Sequence, residues 1–459
     1  MAGDTASAAL RDLLLTTKDG DWGKELPEKG LVPHRVIRGT DFPGVRIGDT
    51  KSVPVRYLSE ATVHRRTLMP DDILLETAGG SPGRPTGRSL LITERLLSSL
   101  DLPATCASFA RFLRVDPSKA VPSFVYWYLQ YLYASGQMEE HQVQHTGVAR
   151  FQYTKFAETE QIPLPDPEEQ RAIAHILGTL DDKIELNRRM NETLEAIARA
   201  LFKSWFVDFD PVLRNMARNG RGQPSPCASR HPLPKVEGLE HRPSNSGGVS
   251  VGEGRIEELD ALFPDSFVDS ELGEIPKGWR VRPVGDFIER LSVGKKYEQK
   301  TVRPTGKVPV LDQGKTGVIG YHDNGPGVVA SVQHPIAIFA NHTCYMRLIH
   351  FSFSTIQNVL PFVGKGVDTI WTFYATYGRQ SFIEYKGHWP DFVIHKIVMP
   401  DPKLTIEFAR LVHPLLKLTW ARERESGTIA VLRDTLLPKL ISGQLRVRDA
   451  EWFIAKVGL

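Results

Sequence analysis

Between residues 173 and 205 apolar side chains recur in steps of four and three: Ile173, Leu177, Leu180, Ile184, then the polar Asn187 and Asn191, then Leu194, Ala198, Leu201 and Trp205. This spacing holds one stripe on one side of a helix and is the seam of a coiled coil. Carried forward until Ile173 falls on Phe408, the same steps give Phe408, Val412, Leu415, Thr419, Arg422, Ser426, Ile429, Arg433, Leu436 and Leu440. Both seams are apolar at their ends and polar in the middle, a device that sets register and partner orientation in helix pairs. The pattern predicts two long helices paired with each other, in preference to two amphipathic helices on separate cores. Pro414 and Gly427 fall inside the second copy, and an interior proline removes a backbone hydrogen bond, so a bend is expected near His413-Pro414.

Each helical pattern follows the same kind of hexapeptide, Ile162-Pro163-Leu164-Pro165-Asp166-Pro167 and Ile397-Val398-Met399-Pro400-Asp401-Pro402, and Pro165 stands to Pro400 as Ile173 stands to Phe408. A proline there suits the end of a strand and the first turn of a helix. The chain therefore holds two copies of one plan. An aromatic run precedes each hexapeptide, Phe124 to Leu129 and Ile370 to Tyr374, and at this density reads as a core helix more readily than a base-stacking platform. Short apolar stretches at Ile73–Leu75, Ser89–Thr93, Val328–Ala330 and Ile336–Phe339, set between Gly/Pro-rich turns, read as strands. The expected fold class is α+β, with two mixed α/β domains and two long helices. The expected boundaries are a first domain over 1–160, a helix within 161–210, a Gly/Pro/Ser/Arg-rich linker over 211–263, a second domain over 264–396 and a second helix within 397–447.

A chain of 459 residues exceeds what one core usually supports, in keeping with two domains. No apolar run approaches the roughly 20 residues of a membrane span, and the first residues lack a secretory pattern, so a soluble cytoplasmic protein is expected. Cys106, Cys227 and Cys344 lie far apart and form neither a C-x-x-C zinc pair nor a disulfide framework. The formal net charge is only +3, yet residues 270–400 hold 15 Lys/Arg against 10 Asp/Glu, and Arg214, Arg218, Arg221 and Arg230 follow the first helix. A basic surplus is what a phosphate-binding surface needs, although solubility alone also explains it.

Catalytic constellations are incomplete wherever they begin. Phe362-Val363-Gly364-Lys365-Gly366 has the F-x-G-x-G outline of a methyltransferase cofactor loop, but no Asn-Pro-Pro or Asp-Pro-Pro-aromatic motif follows to hold a target amine. Gly314-Lys315-Thr316 resembles the end of a phosphate loop, but Pro309 stands where its first glycine belongs. His141 and His145 lack the H-E-x-x-H order of a zinc protease. The chain reads as a binder with no catalytic or metal-ligating residue. Candidate DNA contacts are Arg84 and Arg88 in the loop Gly79–Arg88, Arg150 in the turn after His145, and in the second half Lys295, Lys296, Arg303, Lys315 and His342. Guanidinium groups suit phosphate forks or paired contacts to guanine, and each of these residues also suits a plain solvated surface.

The run Ile162 to Ile173, with Leu180-Asp181-Asp182-Lys183-Ile184 and Leu201-Phe202-Lys203-Ser204-Trp205-Phe206 after it, resembles the central conserved region of Type I restriction-modification specificity subunits. Leu436-Leu437-Pro438-Lys439-Leu440-Ile441-Ser442-Gly443 resembles their C-terminal conserved region, and Pro264–Phe267, Trp279 and Ile338–Thr343 are also similar to members. Asn341 stands where an acidic residue is expected before His-Thr. The resemblance covers nearly the whole chain. It implies two target-recognition domains, each reading one half of a split double-stranded DNA site, and an antiparallel coiled coil that fixes the gap. It also implies docking of two methyltransferase subunits and of restriction/motor subunits. No cofactor would be bound by this chain, since S-adenosylmethionine, ATP and Mg would belong to those partners. Two other readings stay open: a coiled-coil adaptor that does not read DNA, and a solitary DNA methyltransferase.

Overall fold

The computed structural model describes residues 6–80, 84–145, 148–220, 258–314 and 317–456; Lys315, Cys227, Arg221 and Arg230 lie outside them. The chain forms two compact units, residues 1–190 with 422–459, and residues 191–421. Two 40-residue helices, Pro167–Phe206 and Pro402–Ile441, each give one end to each unit.

The two units repeat one topology. In the first, strand Ala6–Ala9 pairs antiparallel with Gln161–Leu164, which leads into the first long helix. A four-stranded antiparallel sheet runs Leu14–Asp19, Ala110–Val115, Ile73–Glu76, Ser89–Leu91. A three-stranded sheet runs Val55–Ser59, Leu31–Ile37, Ala104–Cys106, its last pair parallel. The second unit repeats this with Arg280–Pro283 on Lys396–Met399. Its four-stranded sheet is Ile288–Arg290, Val359–Gly364, Ile336–Ala340, Met346–Ile349. Its three-stranded sheet is Val318–His322, Val308–Leu311, Ser354–Thr355, with the same parallel pair. Equivalent strands begin at Ala6 and Arg280, at Ala104 and Ser354, and at Gln161 and Lys396, so the spacing between the copies shortens steadily along the chain. Insertions in the first unit account for the drift, among them a sheet of Gln142–His145, Val148–Phe151 and Ala78–Gly80.

Each long helix is started by the same device. The Asp166 carboxylate accepts from Glu168 N at 2.8 Å and the Asp401 carboxylate from Lys403 N at 2.9 Å, with a proline between cap and donor. Such a cap satisfies one of the free amides that every helix N-terminus exposes. One turn on, the buried Gln170 and Thr405, which occupy the same place in the two copies, tie each long helix to the cap of the aromatic helix in its own unit. Val121 N donates to Gln170 Oε1 at 2.9 Å, and Asp368 N to Thr405 Oγ1 at 3.1 Å. Those aromatic helices, Pro122–Ala134 and Thr369–Thr376, are buried throughout most of their length.

Within the first unit Ile173, Leu177 and Leu180 are buried, Ile184 is half-buried, and they share a core with Ile429, Leu436 and Leu440 and with Phe124 and Trp127. Asp181 receives Arg433 at 2.5 Å and Arg46 at 2.8 Å, and Arg46 also lies 5.6 Å over the Trp127 ring, so the helix pair is fastened to the domain by a shared carboxylate. Further along the same unit Asn187, 1% exposed, donates through Nδ2 to Glu425 Oε2 at 2.8 Å and Ser426 Oγ at 3.2 Å, beside a Lys183–Glu425 ion pair of 3.2 Å. Within the second unit Trp205, Phe408 and Val412 are buried among Phe202, Phe206 and Trp371, while Leu201 and Leu415 are half-buried against that core and Leu194 is half-buried. The second helix also buries Leu416 and Trp420 there. Asn191 Nδ2 donates to Thr419 O at 3.3 Å.

Two expectations are corrected. The linker does not begin at 211: Asp210–Arg218 is a helix whose Arg214 forks the buried Asp260 at 2.6 and 2.8 Å, and the part of the expected linker over 221–257 lies outside the described residues. Val328–Ala330 is not a strand, because only Val328 bridges to Phe353 and Val329 points outward. Pro414 and Gly427 lie inside a helix that runs unbroken from Pro402 to Ile441, with Pro414 on its exposed side. Among the described residues no helix is long and apolar enough to cross a membrane.

Pro414→Ala restores an amide donor inside a helix and removes the clash with the preceding turn, so it should raise the stability of the second unit by up to about 3 kcal/mol, read as a higher urea midpoint. A second prediction concerns pH. Burial works to raise the pKa of Glu425, but hydrogen bonds from Asn187 and Lys183 and the nearby Arg422 outweigh it and hold the carboxyl below its ordinary value. A depressed carboxyl stabilises the fold above the unfolded pKa, and that contribution is lost as pH falls through the folded value. Glu425→Gln should therefore flatten the acid limb of a stability-against-pH curve below the ordinary carboxylate range.

Candidate nucleic-acid interface

Three connecting segments meet at one end of the four-stranded sheet in each unit, and they are topological equivalents. In the first unit they are 77–88, 107–109 and 135–152. Thr77 N and Ala78 N donate to Phe109 O at 2.9 and 3.3 Å, and Phe151 N to Thr77 O at 2.9 Å. Thr86 donates through N and Oγ1 to Gln142 Oε1 at 2.8 and 3.1 Å, and Tyr133 OH to Pro85 O at 3.2 Å. In the second unit the segments are 341–345, 356–358 and 377–388. Asn341 joins all three: its N–H donates to Asn358 O, its carbonyl accepts from His388 N, and its Oδ1 accepts from Trp389 N, each at 2.8 Å. A side chain on Gly387 would press on the Asn341 amide at 2.9 Å, so glycine lets the two segments touch. The amide oxygen of Asn341 thus acts as a neutral acceptor for a backbone N–H group.

The predicted contact residues fall unevenly on this frame. Arg84 and Arg150 are exposed on the first cluster. Arg88 turns inward, which corrects the expectation for it: its side chain is 13% exposed and forks Glu76 through Nε at 2.9 Å and Nη2 at 2.5 Å. A guanidinium in that position braces the 77–88 segment from beneath. Gly39 belongs to the same arrangement, since a Cβ there would lie 2.5 Å from Glu76 Oε1. In the second unit His342 is half-buried, its N–H donates to Gln313 Oε1 at 2.9 Å, and its ring meets Tyr385 edge-on at 4.8 Å. Lys295, Lys296 and Arg303 are exposed on a separate stretch anchored by Tyr297, which stacks on His322 at 4.1 Å, and Arg303 is paired with Asp323 at 3.1 Å. Lys315 and residues 146–147 of the turn beside Arg150 lie outside the described residues.

Sequence reasoning missed the exposed apolar side chains at these clusters. Phe109 is 62% exposed in the first, and Phe382, Ile383 and Tyr385 are exposed in the second. Their signal in the sequence is the large apolar residue itself, set in a short Gly- or Ser-containing connection outside any periodic pattern. Among the described residues no group of three or more His, Cys, Asp or Glu is placed to hold a metal ion.

Residues 39–196 match the family model described as the Type I restriction modification DNA specificity domain. The chain is 25% identical over 348 residues to the Type I restriction enzyme MjaIX specificity subunit of Methanocaldococcus jannaschii, covering 70% of this chain and 69% of that one. It is 24% identical over 317 residues to the HindI specificity subunit of Haemophilus influenzae, covering 61% and 68%. Its fold is similar to the crystal structure of a Type I restriction-modification S subunit from M. genitalium, with a TM-score of 0.50, 15% identity and coverage of 96% and 97%. These likenesses share one class, the DNA-specificity proteins of Type I restriction-modification systems. The chain is similar to the specificity subunits of that class over 61–70% of its length.

Glu76→Ala would strand the inward guanidinium of Arg88 without a counter-charge, the situation in which breaking a buried pair costs about 3–5 kcal/mol. Thermal or urea unfolding of the variant should register that loss in the first unit, and the double variant Glu76→Ala/Arg88→Ala should recover part of it.

Proposed function

We propose that the chain reads a split double-stranded DNA target, with the three-segment cluster of each unit addressed to one half. The observation that carries this reading is the recurrence of one cluster, built from equivalent connections, in two domains of equal topology. Loops on a rigid sheet can vary without disturbing the core, which suits two surfaces that must recognise different sequences. In the first cluster Arg84 and Arg150 contact phosphates or guanine edges, as bidentate donors do. In the second half His342 serves the reading cluster, and Lys295, Lys296, Arg303 and Lys315 make further contacts to the DNA. The target-recognition domains correspond to about residues 1–160 and 264–396, and the long helices form the spacer and the docking site for two methyltransferase subunits. Restriction/motor subunits complete the assembly. S-adenosylmethionine, ATP and Mg enter with those partners, and the complex works in the cytoplasm.

The test is made on the complex assembled with its methyltransferase subunits. Binding to duplexes carrying its methylated motif should weaken steeply as salt rises, through counterion release. Arg84→Ala or Arg150→Ala should cost about 1–3 kcal/mol if the residue reads a base, relaxing one half of the motif and leaving the other intact. For a phosphate contact the salt slope should instead fall by about 1 per residue. Binding indifferent to both salt and sequence would leave only a helical adaptor.

A further inference from the structure

We infer that the 377–388 segment of the second unit is an apolar base-reading tip, in which Ile383 and Tyr385 contact thymine methyl groups in one half of the target. The inference rests on the reading of the chain as a DNA-specificity subunit and assigns the chemistry of one of its two clusters.

Phe382, Ile383 and Tyr385 crowd three large apolar side chains into four successive residues, and Ile383 and Tyr385 are 72% and 83% exposed. Single exposed apolar residues are ordinary on protein surfaces, whereas a cluster on one projecting turn marks a contact surface. The turn is braced. His388 is fully buried beneath it and its Nε2 lies 3.1 Å from Glu384 O, while the backbone beside it is tied to Asn341. Lys386 reaches both Glu384 at 3.4 Å and Asp391 at 3.3 Å, and the His342 ring supports Tyr385 from the side. Lys386, the one cation of residues 381–387, is thereby paired with two carboxylates, so this turn is not a phosphate clamp.

The equivalent connection of the first unit carries the exposed Arg150, with Arg84 on the segment beside it. One topological position therefore bears cationic chemistry in one domain and apolar chemistry in the other. On the major-groove edge of a base pair the apolar feature is the C5 methyl of thymine, and aliphatic and aromatic side chains are its natural partners. A domain that reads through such contacts selects A·T pairs, while the cationic cluster suits guanine acceptors.

The experiment uses the complex with its methyltransferase subunits and duplexes bearing its own methylated motif, in which each thymine is replaced in turn by deoxyuridine. Loss of one methyl contact should weaken binding about fourfold at one or more positions within a single half-site. Ile383→Ala and Tyr385→Ala should lower affinity for the thymine duplex, abolish the distinction between thymine and deoxyuridine there, and leave discrimination in the other half unchanged. The proposal is overturned if no thymine shows this sensitivity, if the variants keep it, or if they lose assembly with the methyltransferase subunits, which would make the tip a protein contact. A parent complex that does not prefer its motif to a scrambled duplex would instead sink the underlying reading of DNA specificity.

Discussion

A 40-residue helix with a narrow apolar seam has no stable existence alone in water, because the seam must be covered along its length. In this chain the covering is divided between two cores. Ile173, Leu177 and Leu180 complete a core with Phe124 and Trp127, and they do so only together with Ile429, Leu436 and Leu440 from the far end of the chain. The first unit is therefore not closed by the first half of the sequence. Residues beyond 421 belong to it, and a long loop-closure step precedes its completion. In the second unit Phe202, Trp205 and Phe206 lie against Phe408 and Trp371 in the same manner.

The polar middles of the seams decide how the helices pair. Within the first unit residue numbers rise along one helix as they fall along the other, from Asp181 with Arg433 to Asn187 with Ser426. The second unit runs likewise from Asn191 with Thr419 to Trp205 beside Phe408. The pairing is antiparallel in each. A slip that brought the next seam residue, the apolar Ile429, opposite Asn187 would leave its amide unsatisfied, a cost of about 1–3 kcal/mol for a buried polar group. The same amide placed opposite Glu425 and Ser426 is satisfied, so the pair gains register at little expense.

The helices and their entry were legible because their signals are local and periodic. Pro-Asp-Pro specifies both a cap and a stop to the preceding strand, and Pro165 keeps the same spacing from Pro400 that Trp205 keeps from Leu440. Strands upstream were less legible, since insertions in the first unit shift Ala104 and Ala6 out of step with Ser354 and Arg280, and no fixed spacing survives to be recognised. Arg88 was misplaced for a different reason. A Gly-rich loop with two arginines looks alike whether a guanidinium faces water or folds back onto Glu76, and only the tertiary approach of Gly39 shows which occurs. Pro414 was weighed by helix propensity alone, and packing of Val412, Leu416 and Trp420 carries the helix across it. Tyr385 went unnoticed because an aromatic residue in a short loop has no periodicity to betray its exposure.

The division of labour follows from where charge is tolerated. Beneath the first cluster a buried carboxylate, Glu76, absorbs the inward guanidinium of Arg88, so that Arg84 and Arg150 remain exposed above a neutralised base. In the second unit Asn341 does the bracing with a neutral amide, and the tip above it can be apolar without leaving an unpaired charge below. The two clusters differ in chemistry as their supports differ, while the sheets that hold them share one topology.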